Sequence, residues 1–585
     1  MSAIWLILAC TLADAPGTST PIVIDYAMDS DPLLDEFTAK KALSEKYLPL
    51  WLQTLNRPEA DLQRLAAESL AQAHQGGFAK MNKAEPALLR VLAAKETQPA
   101  PRLAAARALL VLDAKHAAPQ LWHTAQTSGL EMRQLIEPTL ARWRYEPAYE
   151  TWRKRLTGSQ TRHRERMLAI RCLGDVADPA AAPQLLAIAL DSQQPHAERL
   201  AAARAVGKSR ESGLEAESRK LAARGGMVID RLCAAGLLER HGSEMARAAL
   251  LALAVDPEPS VATAALRRLN TIDTSLVLPL AEKVVKNPDS GVRREGAKCL
   301  AANPSLERIP TLGKLLDDPV LSLRTMARED LRRLASDSQW NLAVRQSSMD
   351  ILNSEGWRGQ EQAALLLAAL DHEPAAPRLI ELLDSPRAEV MIVSAWALRE
   401  LAIPETLPAL LKQAGHLTDV RLGPTGNSEP LDFQTAHLFE ALATMKYEPA
   451  IPLMKRYIAK NGVMGEYARG AAIWGLGLLH LGKPDEAMAS AIIERVTESS
   501  AVIPPERARV RLAGVISLGK MKAKSQAGAL RAFAPQALPN KLYMATRWSV
   551  NELTGQELPY PDPPTLSQGG WFLEPLDAPD EGVSK

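Results

Sequence analysis

The residues with ligating or reactive chemistry to offer are few. Cys10, Cys172, Cys233 and Cys299 form no C-x-x-C pair and no Cys/His spacing suited to zinc or haem. The last three sit in apolar helical patterns and read as small buried hydrophobes. His116 and His123 stand seven positions apart, but no H-E-x-x-H makes a metal pair of them. Asp29, Asp31 and Asp35 lack the Gly and Glu that would complete a calcium-binding EF-hand loop. Gly225-Gly226 and Gly569-Gly570 match no phosphate-cradling fingerprint, and no serine lies in G-x-S-x-G. The sequence therefore predicts no catalytic residue, no metal and no cofactor.

One segment offers charge instead. Between Arg142 and Arg166 lie Arg153, Lys154, Arg155, Arg162 and Arg164, with Trp143 and Trp152 interleaved. These five cations are the candidate anion-binding patch, since guanidinium groups beside aromatic rings suit an acidic polymer. The preferred reading is a solvated helix face with its Trp packed inward, because Glu146, Glu150 and Glu165 dilute the charge. The whole chain is balanced, with 69 Lys+Arg against 68 Asp+Glu. That gives no strong nucleic-acid signal.

The N-terminus reads MSAIWLILACTLADAPGTSTP. Ala3 to Ala13 is an uncharged run of signal-peptide length, too short to span a bilayer. Ala13-Asp14-Ala15 has small-x-small cleavage form, and Ile7-Leu8-Ala9-Cys10 resembles the lipobox of bacterial lipoproteins. Cys10 is thus a candidate lipid attachment, and the expectation is an exported, periplasmic or envelope-associated bacterial protein, with a cytoplasmic location as the alternative. Any membrane association would run through this N-terminus only.

Such residues need elements to hold them. Only 4% of the chain is aromatic, with 6 Phe, which disfavours a large all-β protein. From Arg102, Ala105, Ala106 and Leu109 follow on one helical face. The same template recurs from Arg133, Arg166, Arg199, Arg231, Ala262, Arg293 and Arg324, at steps of 31 to 33 residues. A second helix precedes each anchor, opened by proline in its first turn, as at Pro119, Pro183, Pro377, Pro408 and Pro452. Polar turns such as Asp256-Pro257, Asn287-Pro288-Asp289 and Asp384-Ser385-Pro386 separate the two. A pair of short helices cannot bury both apolar faces alone, so such pairs stack on their neighbours. The expected fold is an all-α superhelix, an α-solenoid of two-helix repeats. Each anchor Arg reads either as one rung of an anion-binding stripe or, preferably, as the partner of a turn Asp (191, 256, 289, 317 or 384).

The turn Asp, the Arg opening the second helix and the Ala-x-x-x-Leu after it resemble HEAT repeats, and the short period is similar to the subgroup named after phycobilisome lyases. The resemblance covers about residues 45–555 and implies a non-catalytic scaffold that binds protein partners on a concave face. It also leaves open a chromophore-lyase-type enzyme or a nucleic-acid-binding solenoid. The reading divides the chain into a possible signal peptide or apolar segment (1–15), a linker and N-terminal cap (16–44), the solenoid (45–555) with a long inter-helix loop at 415–433 that could carry a partner, and a Pro-rich tail (556–585). Trp571-Phe572-Leu573 should dock on the last repeat or on a partner. Trp396 and Trp474 read as core.

Overall fold

The computed structural model describes residues 22–35, 46–94, 98–224, 226–423, 429–461, 464–498, 502–534, 540–560 and 571–573. The described residues hold 31 α-helices and no strand, and the chain is an α-solenoid of helix pairs. Contacts gather it into two compact units. One, the N-proximal unit, lies within 39–299 and 564–585; the other, the C-proximal unit, lies within 1–38 and 300–563.

A single turn, α1 (Ala27–Ser30), precedes the repeats and belongs to the C-proximal unit. The N-proximal unit contains α2 (Tyr47–Leu55), α3 (Ala60–Gln75), α4 (Leu130–Arg142), α5 (Tyr149–Thr157), α6 (His163–Val176), α7 (His196–Ser209) and α8 (Val228–Leu237). The C-proximal unit contains α9 (Ala388–Leu401), α10 (Leu407–Leu422), α11 (Glu429–Thr444), α12 (Glu466–Leu479), α13 (Ala508–Lys520) and α14 (Lys541–Thr554). The Arg-anchored helices stack directly on one another, α4 on α6, α6 on α7 and α7 on α8. In the C-proximal unit the second helices of the pairs, α9, α11, α12, α13 and α14, stack in the same way and continue this anchored layer. Their proline-opened partners form the second layer, and Pro119, Pro183, Pro377, Pro408 and Pro452 all stand in a first turn.

Small residues let the anchored layer close up. A Cβ added at Gly174 would come within 2.8 Å of the Ala205 Cβ, and one at Gly477 within 2.6 Å of the Ser517 Cα. The anchored helices also end alike. Asp113, Arg144, Ala177, Asp371, Ala402, Lys446 and Lys522 have φ between 50° and 59°. The next amide reaches back to the final turn, as in Tyr145 N to Leu140 O (3.0 Å), Asp178 N to Leu173 O (3.1 Å) and Tyr447 N to Leu442 O (2.9 Å). This left-handed cap satisfies end carbonyls at the cost of non-glycine φ strain.

The anchor arginines form a ladder, with rungs that differ from expectation. Arg133 pairs with Glu165, Arg166 with Glu198 (3.3 Å) and Arg199 with Asp230. Each acid directly precedes the next anchor in sequence. Of the turn aspartates, Asp256 meets an anchor, Arg231, at 2.6 Å. Asp191 holds Gln194, Asp317 the Gly359 amide and Asp384 Gln413. These turn acids accept from amides of their own turn or of a later repeat, whereas an acid in the first turn of the next anchored helix faces the previous anchor.

Two further expectations are corrected. The stretch 415–433 is mostly helix: α10 runs to Leu422 and α11 starts at Glu429, while 424–428 lie outside the described residues. Thr418 Oγ1 bonds the Tyr457 hydroxyl (2.7 Å), and Arg421 meets Asp432 (3.2 Å), which ties the extra helical turns to neighbours despite Gly415. The tail anchor Trp571 packs on Trp51 and Phe78, at 5.6 and 6.1 Å between ring centres, and Trp51 Nε1 donates to the Phe572 carbonyl (2.7 Å). It therefore covers α2, the first helix of the solenoid, rather than the last repeat. Residues 558–560 lie against α14 instead, where Arg547 and Tyr543 hold the Leu558 and Pro559 carbonyls.

Candidate functional site

The five patch residues are divided by the fold. Arg153 pairs with Asp178 (2.7 Å), Lys154 with Glu150 (2.7 Å) and Arg155 with Glu137 (2.7 Å), all from α5. Glu137 is fully buried and also accepts Trp152 Nε1 (3.1 Å). Burial pushes its carboxyl upward against the pull of Arg155. Trp152 is thus packed inward, and Trp143 donates to Asp113 (2.7 Å). Arg162 and Arg164 are exposed.

Arg164 belongs to a different cluster. On α6, Arg164, Met167, Arg171 and Asp175 recur at helical spacing, and on α7 Ala201, Arg204 and Lys208 face the same way. They line a cleft of about 610 Å³ floored by Leu168, Gly174 and Ala205. Arg164, Arg171, Arg204 and Lys208 have no carboxylate partner among the described residues. Sequence reading missed the last three because adjacency in sequence, not the helical face, defined the patch. Cys10 and the apolar run lie outside the described residues. Cys172 and Cys233 are buried, and desolvation pushes the Cys233 thiol up to about 11.

The second site is already filled. Residues 22–35 run as a mostly extended stretch across five anchored helices of the C-proximal unit. Asp25 comes first: its carbonyl accepts Arg399 (2.8 Å), and its carboxylate accepts Trp396 Nε1 (3.2 Å) and Arg399. Partial burial raises Asp25, but the Arg399 and Trp396 hydrogen bonds hold it below the usual carboxylate range. Tyr26 stacks on His437 with centroids 4.5 Å apart and planes within 4°, and it also meets Tyr467. The Met28 amide donates to Glu440 (3.0 Å), and its side chain is buried beside Gly470, where a Cβ would stand 3.2 Å from the sulfur. Asp29 pairs with Arg509 (2.6 Å), and its carbonyl accepts Lys541. Asp31 pairs with Lys520 (2.7 Å), and its carbonyl accepts Trp474 Nε1 (2.9 Å).

The receiving surface is held by its own contacts. Arg399 bonds Glu440 (2.7 Å) and Glu400 (2.7 Å); burial opposes its charge, but these acids with Asp25 keep its pKa raised. Arg509 lies 4.2 Å over Tyr467, which Phe433 meets edge-on. His437 is buried, and desolvation holds it below its usual value, hence neutral. The core reading of Trp396 and Trp474 is half of the picture: both are buried, yet each indole N–H serves the docked segment. The signal that the sequence carries for this segment is three acids and a Tyr in one short stretch, Asp25, Tyr26, Asp29 and Asp31, a pattern that fits an ion-paired peptide better than a calcium loop. Among the described residues no group of three His, Cys, Asp or Glu could hold a metal ion, and no helix is long and apolar enough to cross a membrane.

Comparison with known proteins adds a repeat family. The HEAT repeats family matches residues 247–332. No match was found among the curated proteins. Among solved structures, the chain is similar to yeast importin-beta (Kap95p), with 14% identity over 87% of this chain and 73% of that one (TM-score 0.43). It is also similar to importin beta crystallised in ammonium sulfate (14%, 86% and 72%, TM-score 0.47) and to Kap121p bound to RanGTP (12%, 87% and 57%, TM-score 0.48). Identities this low carry no statement about partner or activity.

Proposed function

We propose that the protein is a non-catalytic scaffold that binds other proteins through its anchored helix layer. The observation that supports this reading is the docking of residues 22–35. Side chains from α9, α11, α12, α13 and α14 together grip a short stretch of polypeptide, extended on either side of the single turn α1, through its backbone and its acids. A surface built that way takes polypeptide, with main-chain bonds for affinity and pockets for choice. Stacked helices also supply a long, continuous face for it. The same layer in the N-proximal unit offers the cleft between α6 and α7.

A photo-crosslinking amino acid placed at Arg171 in α6, and separately at Lys154 in α5, tests the reading in the full chain. Crosslinked partner peptides are expected at position 171 and not at 154. Capture of the same peptides at 154 alone would remove the anchored layer as the binding face. We further propose that the scaffold works after export, at the bacterial envelope, on the strength of the N-terminal apolar run and the Cys10 context. Mass spectrometry of the mature N-terminus tests this: a start at Asp14 to Pro16, or a lipid-modified Cys10, is expected, and an intact Met1 would place the protein in the cytoplasm.

A further inference from the structure

We infer that the groove over α9, α11, α12, α13 and α14 is a receptor for an extended acidic peptide of a partner protein, and that residues 22–35 are a resident copy of that ligand which the partner displaces. This rests on the protein-binding reading above and names the ligand class for one of its sites.

The contacts define what the ligand must carry. Three backbone carbonyls, those of Asp25, Asp29 and Asp31, are held by Arg399, Lys541 and Trp474. Any peptide that follows this path, extended at either side of one turn, supplies these. Choice comes from side chains: an acid at the Asp25 place for Trp396 and Arg399, and a planar ring next to it for His437. A slim apolar chain fits at the Met28 place against Gly470, and acids at the Asp29 and Asp31 places meet Arg509 and Lys520. The ligand pattern is therefore Asp-aromatic-x-apolar-Asp-x-Asp. Four cations on α9, α13 and α14 face three acids, which is complementarity of charge as well as of shape.

The resident segment is also built to leave. Of its side chains only that of Met28 is buried, whereas Val23, Ile24 and Leu33 are 60%, 38% and 92% exposed. It is held mainly by partly exposed ion pairs and carbonyl bonds, each of modest worth in water. Its one helical turn, α1, is too short to hold itself together. The receiving side keeps its arrangement through Arg399–Glu440 and the stacking of Arg509 on Tyr467. A tethered ligand competes at high effective concentration, so an added peptide sees only the fraction of grooves that are open.

The test uses the full chain and a fluorescent synthetic peptide with the sequence of residues 22–35, IVIDYAMDSDPLLD. In a variant carrying Asp25→Ala, Tyr26→Ala and Asp29→Ala the segment no longer holds the groove. That variant is expected to bind the peptide about tenfold or more tightly than the unaltered chain does. Adding Arg509→Glu should abolish binding, and a peptide with Asp29→Lys should restore it, which separates a lost contact from a lost fold. Equal binding by the opened and unaltered chains would overturn the inference. So would an opened variant, helical by circular dichroism, that takes no peptide. If the opened variant loses its helical signal, the milder Asp29→Ala/Asp31→Ala pair must open the groove without that loss, or the segment is a structural part and the inference falls. In any of these failures, partner crosslinks at position 171 would still stand, so the scaffold reading is judged separately.

Discussion

Glu137 shows how much one residue carries here. Its carboxylate is sealed under α4 and α5 with Arg155 and Trp152 as partners. Removing Arg155 alone, as in Arg155→Met, leaves that charge buried without its counterion. Denaturation of the variant should show a loss of about 3–5 kcal/mol, while Arg155→Met with Glu137→Leu should recover most of it. At the docked segment, protonation sets the balance. Asp25 has a lowered pKa when docked, so its contribution is present above 3.8 and is lost as pH falls through the docked value. His437 faces Tyr26, with Glu440, Arg399 and Asp25 around it, and burial holds it below 6.5. Once Tyr26 leaves, the ring regains water and titrates nearer 6.5, so docking also weakens as pH falls below that value. The sign is the same for both groups. Protease cleavage within residues 22–35 should therefore quicken in two stages on acidification, and His437→Phe should remove the earlier stage.

At the scale of the helix pair, the sequence was legible where chemistry recurred. Seven arginines and their Ala-Ala-x-x-Leu faces located the anchored helices, and prolines located their partners. What did not recur as a residue type was hidden. Seven of the left-handed caps fall on Asp, Arg, Ala and Lys, where no glycine announces them, whereas Gly77 after α3 and Gly555 after α14 are caps of the legible kind. The ladder acids sat beside the anchors rather than in the turns, because facing between stacked helices depends on helical phase and not on distance along the chain. The helical extension through 415–422 is masked by Gly415, which is half-buried and where an added Cβ would meet nothing within 4 Å. Close approach is a property of the element as well. A Cβ at Gly207 would overlap the Gly236 carbonyl and stand 2.9 Å from that of Leu237, both backbone atoms that cannot swing aside. Gly207→Ala should cost about 1–3 kcal/mol, measured by thermal or urea unfolding, and Gly528→Ala, with nothing within 4 Å, should cost nothing similar.

Across the whole molecule, the repeat explains why function resides on a surface and not in a pocket of reactive groups. Each helix pair adds one strip to the anchored layer, and cations placed on successive strips line up without being close in sequence. That is why the basic segment read along the chain, Arg153 to Arg164, gave way to a cluster drawn from α6 and α7. Charge reversal at Arg164, Arg171 and Arg204 should sharply reduce retention on heparin. The same change at Arg153, Lys154 and Arg155 should affect stability first, since those groups are engaged with Asp178, Glu150 and Glu137. Retention that falls equally with both sets would return the site to the original patch. A steep loss of retention with salt would show that counterion release drives binding at this cleft. The N-terminal segment was the least legible part: a Pro-bounded stretch of acids carries no period, and its partner helices lie more than 350 residues away in sequence.

Zero-length carbodiimide coupling in the purified chain tests the docked segment most directly, because it joins only carboxylates and amines already in contact. Asp31 and Lys520, 2.7 Å apart, should appear as one crosslinked peptide pair, formed within single chains when isotopically light and heavy protein are mixed. Coupling of Lys520 to other carboxylates with none to Asp31 would contradict the account, and would leave the anchored layer without the polypeptide that identifies it as a binding face.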